Sequence, residues 1–515
     1  MTSQPTLSPP ASARRTPAIL FVLIAALYLS TLTANYYWDG ITFALQIERV
    51  AIEGRTAALL FHQNHLLYNA LGYLLYRVAH AVGFGIRALP LLQIANALIG
   101  AAAVTVFFHL ARRATANRYV AIVCSVALAV SAAWWKISTD VDAYILVILF
   151  ILVCANNLLS ATPRWVVAGL ALAGAMLMHE LAALFYLAAI VAIFTSQTIE
   201  RKMRFAAWMS ALAGTVTIVI YYLCAFLTQS ITHPLELVKW ATSNPTGKSL
   251  GATPVDGIKL LPKVNIDAII GHDFALFRRQ GEWVEFAIAL AALVAGLIFV
   301  IIAMRKVKAV RAVSALRHCA PELIPVRRQL VPMLVVWVGI YAVFLIFWGP
   351  LLYFRAFYTP ALALGLGLAL SNYHRLNNSW PSGAAAFAVV AFALFNLGFY
   401  IGPNMRAGAN PGVAMARHTG WNAQTVIYFA DHTEADTAFE YFNPSCDWDN
   451  LARVSLDRLE SEIARTYNQG GSVWLNKGAV AQVDANWLAR RASGRKIEVD
   501  VPGAPALYVE VLPEK

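Results

Sequence analysis

HLLYNALGYLLYR, residues 65–77, decides how this chain is threaded. The run is apolar enough to cross a membrane. Counting it as a span would put Arg112, Arg113 and Arg118 outside and Asp140 inside, against the excess of Arg and Lys that cytoplasmic loops carry. Its polar positions His65, Asn69, Arg77 and His80, together with its tyrosines, instead suit a helix lying in the membrane interface. ITFALQIERVAIE, residues 41–53, is similarly amphipathic. The first outer loop is therefore expected to be long, helical and membrane-hugging.

A spanning helix needs about 20 mostly apolar residues. With 65–77 set aside, such runs fall near 18–36, 88–110, 119–137, 142–160, 165–180, 181–197, 205–228, 283–304, 329–349, 357–372 and 382–402. Arg14/Arg15, Arg112/Arg113/Arg118, Arg164, Arg201/Lys202/Arg204, the Arg305–Arg328 cluster and Arg375 then all fall inside, while the outer turns 138–142 and 179–181 carry no Lys or Arg.

The composition agrees. A chain of 515 residues, 59% hydrophobic and 13% charged, reads as a polytopic α-helical membrane protein of about eleven spans with a small C-terminal α/β domain. Its net charge of +12 gathers in short loops between apolar runs. Such loops face an anionic leaflet, so no nucleic-acid partner is expected. The five cysteines include no CxxC, and neither disulfides nor a thiolate zinc site is expected.

The organisation read from these patterns is a disordered cytoplasmic tail at 1–17, a transmembrane domain at 18–402 with outer loops 37–87 and 229–282, and an outer, periplasmic domain at 403–515. The first apolar run is read as a retained helix of a protein in the inner (cytoplasmic) membrane. Past Gly402 charges become frequent. Residues 423–430 and 472–476 read as buried strands, 451–468 as a helix, and the end as a hairpin split by Pro502-Gly503-Ala504-Pro505.

Three carboxylates stand at span exits on the outer side: Asp39 after the first run, Asp140 and Asp142 after the third. Ionisable groups at the mouth of a helix bundle are costly to desolvate and mark functional candidates. Asp39, in Tyr36-Tyr37-Trp38-Asp39-Gly40, is a helix cap, a general base, or both. In an extended turn Asp140 and Asp142 share a side and face one divalent ion (Mg or Mn) or one phosphate; alternatively Asp140 caps the next span and Asp142 sits in its first turn. His179-Glu180 in the turn between spans five and six is a solvated pair or a further metal ligand set. Arg355, in Tyr353-Phe354-Arg355-Ala356-Phe357-Tyr358, is an outer-face Arg that either snorkels or clamps a phosphate. Lys136, Arg278 and Arg279 are outer cations of the same potential use. Carboxylates for base chemistry and cations for a phosphate imply a lipid-phosphate leaving group.

A first span ending in an acid, a long first outer loop with two interfacial helices, and a second acidic motif before the fourth span resemble GT-C-fold glycosyltransferases. That class includes protein O-mannosyltransferases, lipid A aminoarabinose transferases and oligosaccharyltransferases. The resemblance covers roughly 18–200, with Arg355 to Pro360 similar to a late Arg-Tyr…Pro segment. It implies an inverting transferase using a polyprenyl-phosphate sugar donor, acting on a lipid, glycan or protein acceptor among the membrane lipids of the outer face. By residue, Asp39 matches the catalytic acid, Asp140 and Asp142 the second acidic motif, His65 the His of a His-Pro-Pro-Leu-like segment, and Arg355, with Tyr358 beside it, the donor-phosphate contact. The usual Asp-Glu is here Asp39-Gly40, and the His-Pro-Pro run is His65-Leu66-Leu67. These departures leave sugar, acceptor and metal dependence open. Two rivals predict different patterns. A flippase for a lipid-linked glycan predicts charges buried in mid-span and Gly/Pro-broken helices. A non-catalytic scaffold predicts that Asp39, Asp140 and Arg355 tolerate neutral substitution.

Overall fold

Twenty-eight residues from Ala88 to Thr115 form one unbroken helix: Pro90 stands in its first turn, where a missing amide donor is tolerated, and no Asp, Glu, Lys or Arg interrupts the apolar pattern before Arg112. The computed structural model describes residues 11–242, 254–271, 283, 287, 290, 291, 293–298, 301, 324–348, 353–377, 380–430, 434–499 and 506–514. Among them, four helices are long and apolar enough to cross a membrane: Ala88–Thr115, Lys202–Gln229, Pro325–Phe347 and Gly383–Met405. A bent pair, Arg118–Ala129 with Ala132–Thr139, makes a fifth if it counts as one span. Among the described residues four or five of the eleven expected spans meet this length, and most of the expected span 283–304 lies outside the described residues. Tyr144–Leu158, Trp165–Met178, Glu180–Thr195 and Thr359–Ser371 are apolar but shorter, and at 1.5 Å per residue they fall below the roughly 30 Å of a bilayer core.

The expected span 119–137 is broken by 65°. At the break the Ser131 hydroxyl turns back to the Leu128 carbonyl (2.8 Å), and the Val130 carbonyl is taken by Asn396 Nδ2 (2.7 Å). Asn396 also donates to the Ile269 carbonyl (2.9 Å) and accepts from the Gly271 amide (3.2 Å). One buried amide therefore satisfies three backbone groups that an apolar interior leaves without water. Gly271 allows the approach, because a Cβ there would lie 2.5 Å from the Tyr400 ring.

The first helix, Ala11–Ser30, starts and stops earlier than the expected 18–36. It ends because the amides of Ala34 and Asn35 turn to the Asn404 carbonyl (2.8 and 3.0 Å). The interfacial segment is a helix, Tyr68–Ala81. Tyr68, Asn69, Gly72, Tyr76 and Ala79 are buried on one face, while Leu71, Leu74 and Val78 are exposed on the other. That amphipathic division is what a helix lying along a lipid surface requires.

The chain divides into two compact units. One comprises Met1–Leu32, Ile47–His272 and Trp283–Ile401; the other comprises Thr33–Gln46, Asp273–Glu282 and Gly402–Lys515. The second unit is built on a five-stranded sheet. β1 (Thr425–Phe429), β2 (Asp447–Asn450), β3 (Ser472–Asn476), β4 (Ala492–Val499) and β5 (Ala506–Val511) run in the order β2-β1-β3-β5-β4. β1 pairs in parallel with β2 and β3, and β5 is antiparallel to β3 and β4. Alternation along the strands sorts the two faces. Val426, Tyr428, Val473 and Leu475 pack with Leu459 and Ile463 of the helix Leu456–Asn468. Trp474 turns the other way, to Trp421 (5.7 Å between ring centroids), which also meets Tyr508 (5.0 Å).

Replacing Asn396 by Leu keeps the volume and orphans three backbone groups, each worth about 1–3 kcal/mol when buried unpaired. The variant is expected to melt at a lower temperature in detergent. An unchanged melting temperature would show that the tether at the break carries no weight.

Candidate functional site

The turn Asp140–Asp142 is assembled by the helix Ala88–Thr115. Gln93 and Asn96 sit three apart on one face of that helix, in an otherwise apolar run. Gln93 Nε2 donates to the Thr139 carbonyl (3.1 Å), and Asn96 Nδ2 donates to the carbonyls of Asp140 (3.0 Å) and Asp142 (2.8 Å). The Tyr68 hydroxyl donates to Asn96 Oδ1 (3.3 Å), which ties the interfacial helix to the same amide. Asp140 is fully buried and forms an ion pair with the equally buried Lys136, one helical turn before it. Its Oδ1 accepts the Val141 amide (2.8 Å). Asp142 Oδ1 accepts the amide of Tyr144 (3.3 Å), the first residue of the helix Tyr144–Leu158, whose N-cap is Ala143.

This arrangement differs from the expectation for the motif. Asp140 is neutralised by Lys136, and Asp142 serves a helix start, so the two are not presented together to one divalent ion. Lys136 for its part is spent on Asp140 and not on a phosphate. Among the described residues no group of three or more His, Cys, Asp or Glu converges into a metal-ligand set. His179 Nδ1 accepts the Leu181 amide (3.0 Å), and Glu180 is half-buried with its amide donating to the Asn64 carbonyl (3.3 Å). Asp140, Asp142, His179 and Glu180 therefore do not fit a cation site, and no step is routed through one.

His65 and His179 do come together. Their rings meet edge to face at 4.4 Å, with Tyr144 at 6.2 Å from the first and 5.1 Å from the second. Phe354 and Phe357 each lie 5.5 Å from Tyr144. Tyr341 stacks on Phe357 (5.4 Å) and donates to the Leu181 carbonyl (2.9 Å), which closes the ring cluster. Burial holds His65 well below the ordinary imidazole range, and the neighbouring His179 and His62 push it the same way.

The same cluster leads to Arg355. The turn Tyr353–Phe357 is fixed by Trp337 Nε1 donating to the Phe357 carbonyl (2.9 Å) and by the Thr359 hydroxyl donating to the Arg355 carbonyl (2.9 Å). Arg355 is 1% exposed and donates Nη1 to the Tyr358 hydroxyl (3.1 Å), which in turn donates to Asn265 Oδ1. Its Nε finds no partner among the described residues, and no described carboxylate lies within ion-pair distance. Thr359, whose hydroxyl reaches the Arg355 backbone carbonyl, lines an apolar cavity of about 390 Å³ together with Ser131, Ile270, Leu297, Leu362 and Phe392 among others; Arg355 itself is not in that lining. A desolvated guanidinium that no described carboxylate neutralises is suited to an anion.

Asp39 belongs to the second unit. The helix begins at Trp38, so half-buried Asp39 stands in its first turn and is not the N-cap expected from a start at Gly40. The segment before it is pinned by Asn404 Oδ1, which accepts Asn35 Nδ2 (2.7 Å), and by Asn410, which donates to the Tyr36 carbonyl (2.8 Å). Tyr36 also stacks on Phe442 (5.9 Å). Arg278 and Arg279 lie outside the described residues. Gln93, Asn96, Asn265, Asn396, Asn404 and Asn410 were not singled out in the sequence, although an amide inside an apolar run was a usable signal for several of them.

No family model matches the sequence, and no curated protein matches it. Solved structures do match by fold. ArnT from Cupriavidus metallidurans bound to undecaprenyl phosphate aligns over 97% of this chain and 98% of its own, with a TM-score of 0.58 at 12% identity. Its apo state aligns over 96% and 98%, with a TM-score of 0.56 at 13% identity. The chain has the GT-C fold, as the resemblance predicts.

Breaking the buried pair leaves an uncompensated charge, at a cost of about 3–5 kcal/mol. Lys136→Met is therefore expected to melt well below wild type, and Lys136→Met with Asp140→Leu to regain much of the loss. Equal melting of the single variant and wild type would dismiss the pair as an organiser. A second expectation concerns pH. Folded His65 resists protonation, whereas the unfolded imidazole takes a proton below about 6.5. Its contribution is therefore nil above that pH and increasingly destabilising as pH falls below it, by up to about 1.4 kcal/mol per pH unit. His65→Gln should flatten the acid side of a melting-temperature profile; an unchanged slope would assign the acid lability elsewhere.

Proposed function

We propose that the chain is a membrane glycosyltransferase that moves a sugar from a polyprenyl-phosphate donor to a lipid, glycan or protein acceptor on the outer face of the membrane. The observation that carries this reading is buried Arg355, held by Tyr358, with no described carboxylate to neutralise it. A donor phosphate meets that demand. The fold shared with a structure bound to undecaprenyl phosphate supports the same donor class.

In this reading the acceptor oxygen attacks the anomeric carbon while the bond from that carbon to the donor phosphate breaks. The acceptor proton passes to Asp39, and the bonding pair leaves with the polyprenyl phosphate. A single displacement inverts the anomeric configuration. Arg355 stabilises the charge that grows on the leaving phosphate, where a preorganised donor acts most strongly because it is already desolvated. His65, with His179 and Tyr144 around it, presents ring faces and nitrogen edges suited to a sugar. Lys136, Asp140 and Asp142 hold the turn that Tyr144 follows. A divalent cofactor is left out of this scheme.

Mass spectrometry of envelope lipids and glycans from a deletion strain tests the proposal. One sugar is expected to disappear and to return with wild type. Arg355→Gln should lower transfer about a hundredfold or more, and Asp39→Asn by about 10²–10⁴, with both variants present in the membrane at wild-type level. Full restoration by Asp39→Asn would reduce Asp39 to a helix-terminus residue. Accumulation of a complete lipid-linked glycan would transfer the reading to a flippase.

A further inference from the structure

The helix Trp165–Met178 leads to His179 at one end and, at the other, starts beside a cavity of about 670 Å³. Fourteen residues at 1.5 Å each place the two about 20 Å apart. The cavity is therefore separate from the His65–Arg355 site. Its lining includes Trp165, Trp208, Phe205, Glu200, Arg201 and Arg204.

The two tryptophan rings face each other at 5.9 Å, and both are exposed. Exposed tryptophan at the end of an apolar helix belongs at the headgroup level of a bilayer, where one edge is wet and the other greasy. Met203, between the two guanidiniums, is 72% exposed and adds apolar surface.

Arg201 and Arg204 open the helix Lys202–Gln229, whose first turn contains no acidic residue. Arg201 is the N-cap and Arg204 lies in the first turn, so both cations stand at the positive end of the helix dipole, which disfavours them without an anion. Glu200 is the carboxylate in the lining, yet it forms no ion pair with either. Among the described residues neither guanidinium has an ion-pair or hydrogen-bond partner. Lys202 behaves differently, since its ammonium is satisfied by the Phe194 carbonyl (2.8 Å).

A concave site with two uncompensated guanidiniums and two exposed indoles combines phosphate recognition with an apolar stem. We propose that this cavity binds the headgroup of an anionic phospholipid, with its phosphate on Arg201 and Arg204 and its glycerol-acyl stem against Trp165 and Trp208. A water-soluble phosphate shares the charge but leaves the indoles without a partner, and this favours the lipid.

The test uses the whole chain purified in mild detergent, incubated with phosphatidylglycerol or phosphatidylcholine, with retained lipid counted by native mass spectrometry. Wild type is expected to retain several-fold more phosphatidylglycerol. Arg201→Gln with Arg204→Gln should bring retention down to the phosphatidylcholine level at an unchanged melting temperature. Trp208→Ala should weaken retention with the charges intact, and Lys202→Gln should leave it as in wild type. Equal retention of the two lipids, wild-type retention by the double variant, or displacement by equimolar glycerol 1-phosphate overturns the proposal. The last result would assign a free-anion site.

Discussion

Lys136 and Asp140 meet one turn apart with almost no exposure to solvent, and the turn beyond them depends on that meeting. In water such a pair contributes little. Between apolar helices the alternative is one bare charge, so the pair cannot open without a large penalty. With Asp140 fixed, the carbonyls of Asp140 and Asp142 can both be reached by one amide, Asn96. Asp142 then starts the next helix at Tyr144, and Tyr144 carries the aromatic cluster of His65, His179, Phe354 and Phe357.

Neutral amides do the corresponding work wherever the helices stop or bend. A backbone group freed by a broken helix has no water to turn to in an apolar interior. Asn396 supplies both a donor and an acceptor at the bend after Val130, and the Asn410 side chain donates to the Tyr36 carbonyl in the segment after the first helix. Asn is short and carries both polarities, so it serves irregular backbone without bringing a charge.

This explains what the sequence disclosed and what it withheld. Membrane character followed from apolar runs and the Arg/Lys pattern, and the status of 65–77 followed from polar positions that a lipid-crossing helix would have to bury. The sheet strands at Thr425–Phe429 and Ser472–Asn476 were legible because both lie inside the sheet and are apolar, and the closing hairpin because Pro-Gly-Ala-Pro separates two alternating runs. β2 was not legible: DWDN is an edge strand with little to bury. Hydropathy also ran straight through the bend at Ser131, because it sees an apolar run and not the hydrogen bonds that divide it. The partnership of Lys136 with Asp140 stands in plain i,i+4 spacing, a signal that the sequence reading did not use.

Arg355 and Lys136 show why the reading of outer-side cations had to be split. Both are buried, and both stand next to tyrosine-rich or tryptophan-rich turns. Lys136 ends on a carboxylate, as a compact ammonium can with a single contact. Arg355 has a planar fork of five donors, and the Tyr358 hydroxyl engages one arm of it. Guanidinium groups keep their charge on burial where an amine can surrender it, so a neutral hydroxyl does not discharge the cost of holding Arg355 in an apolar interior. Folding alone gives no reason to keep such a group there, since an apolar residue of similar size would be as stable or more so. Retaining it makes physical sense if the anion arrives with the substrate. By the same criterion Lys136 and Asp140, which satisfy one another, need no incoming ligand to account for their burial.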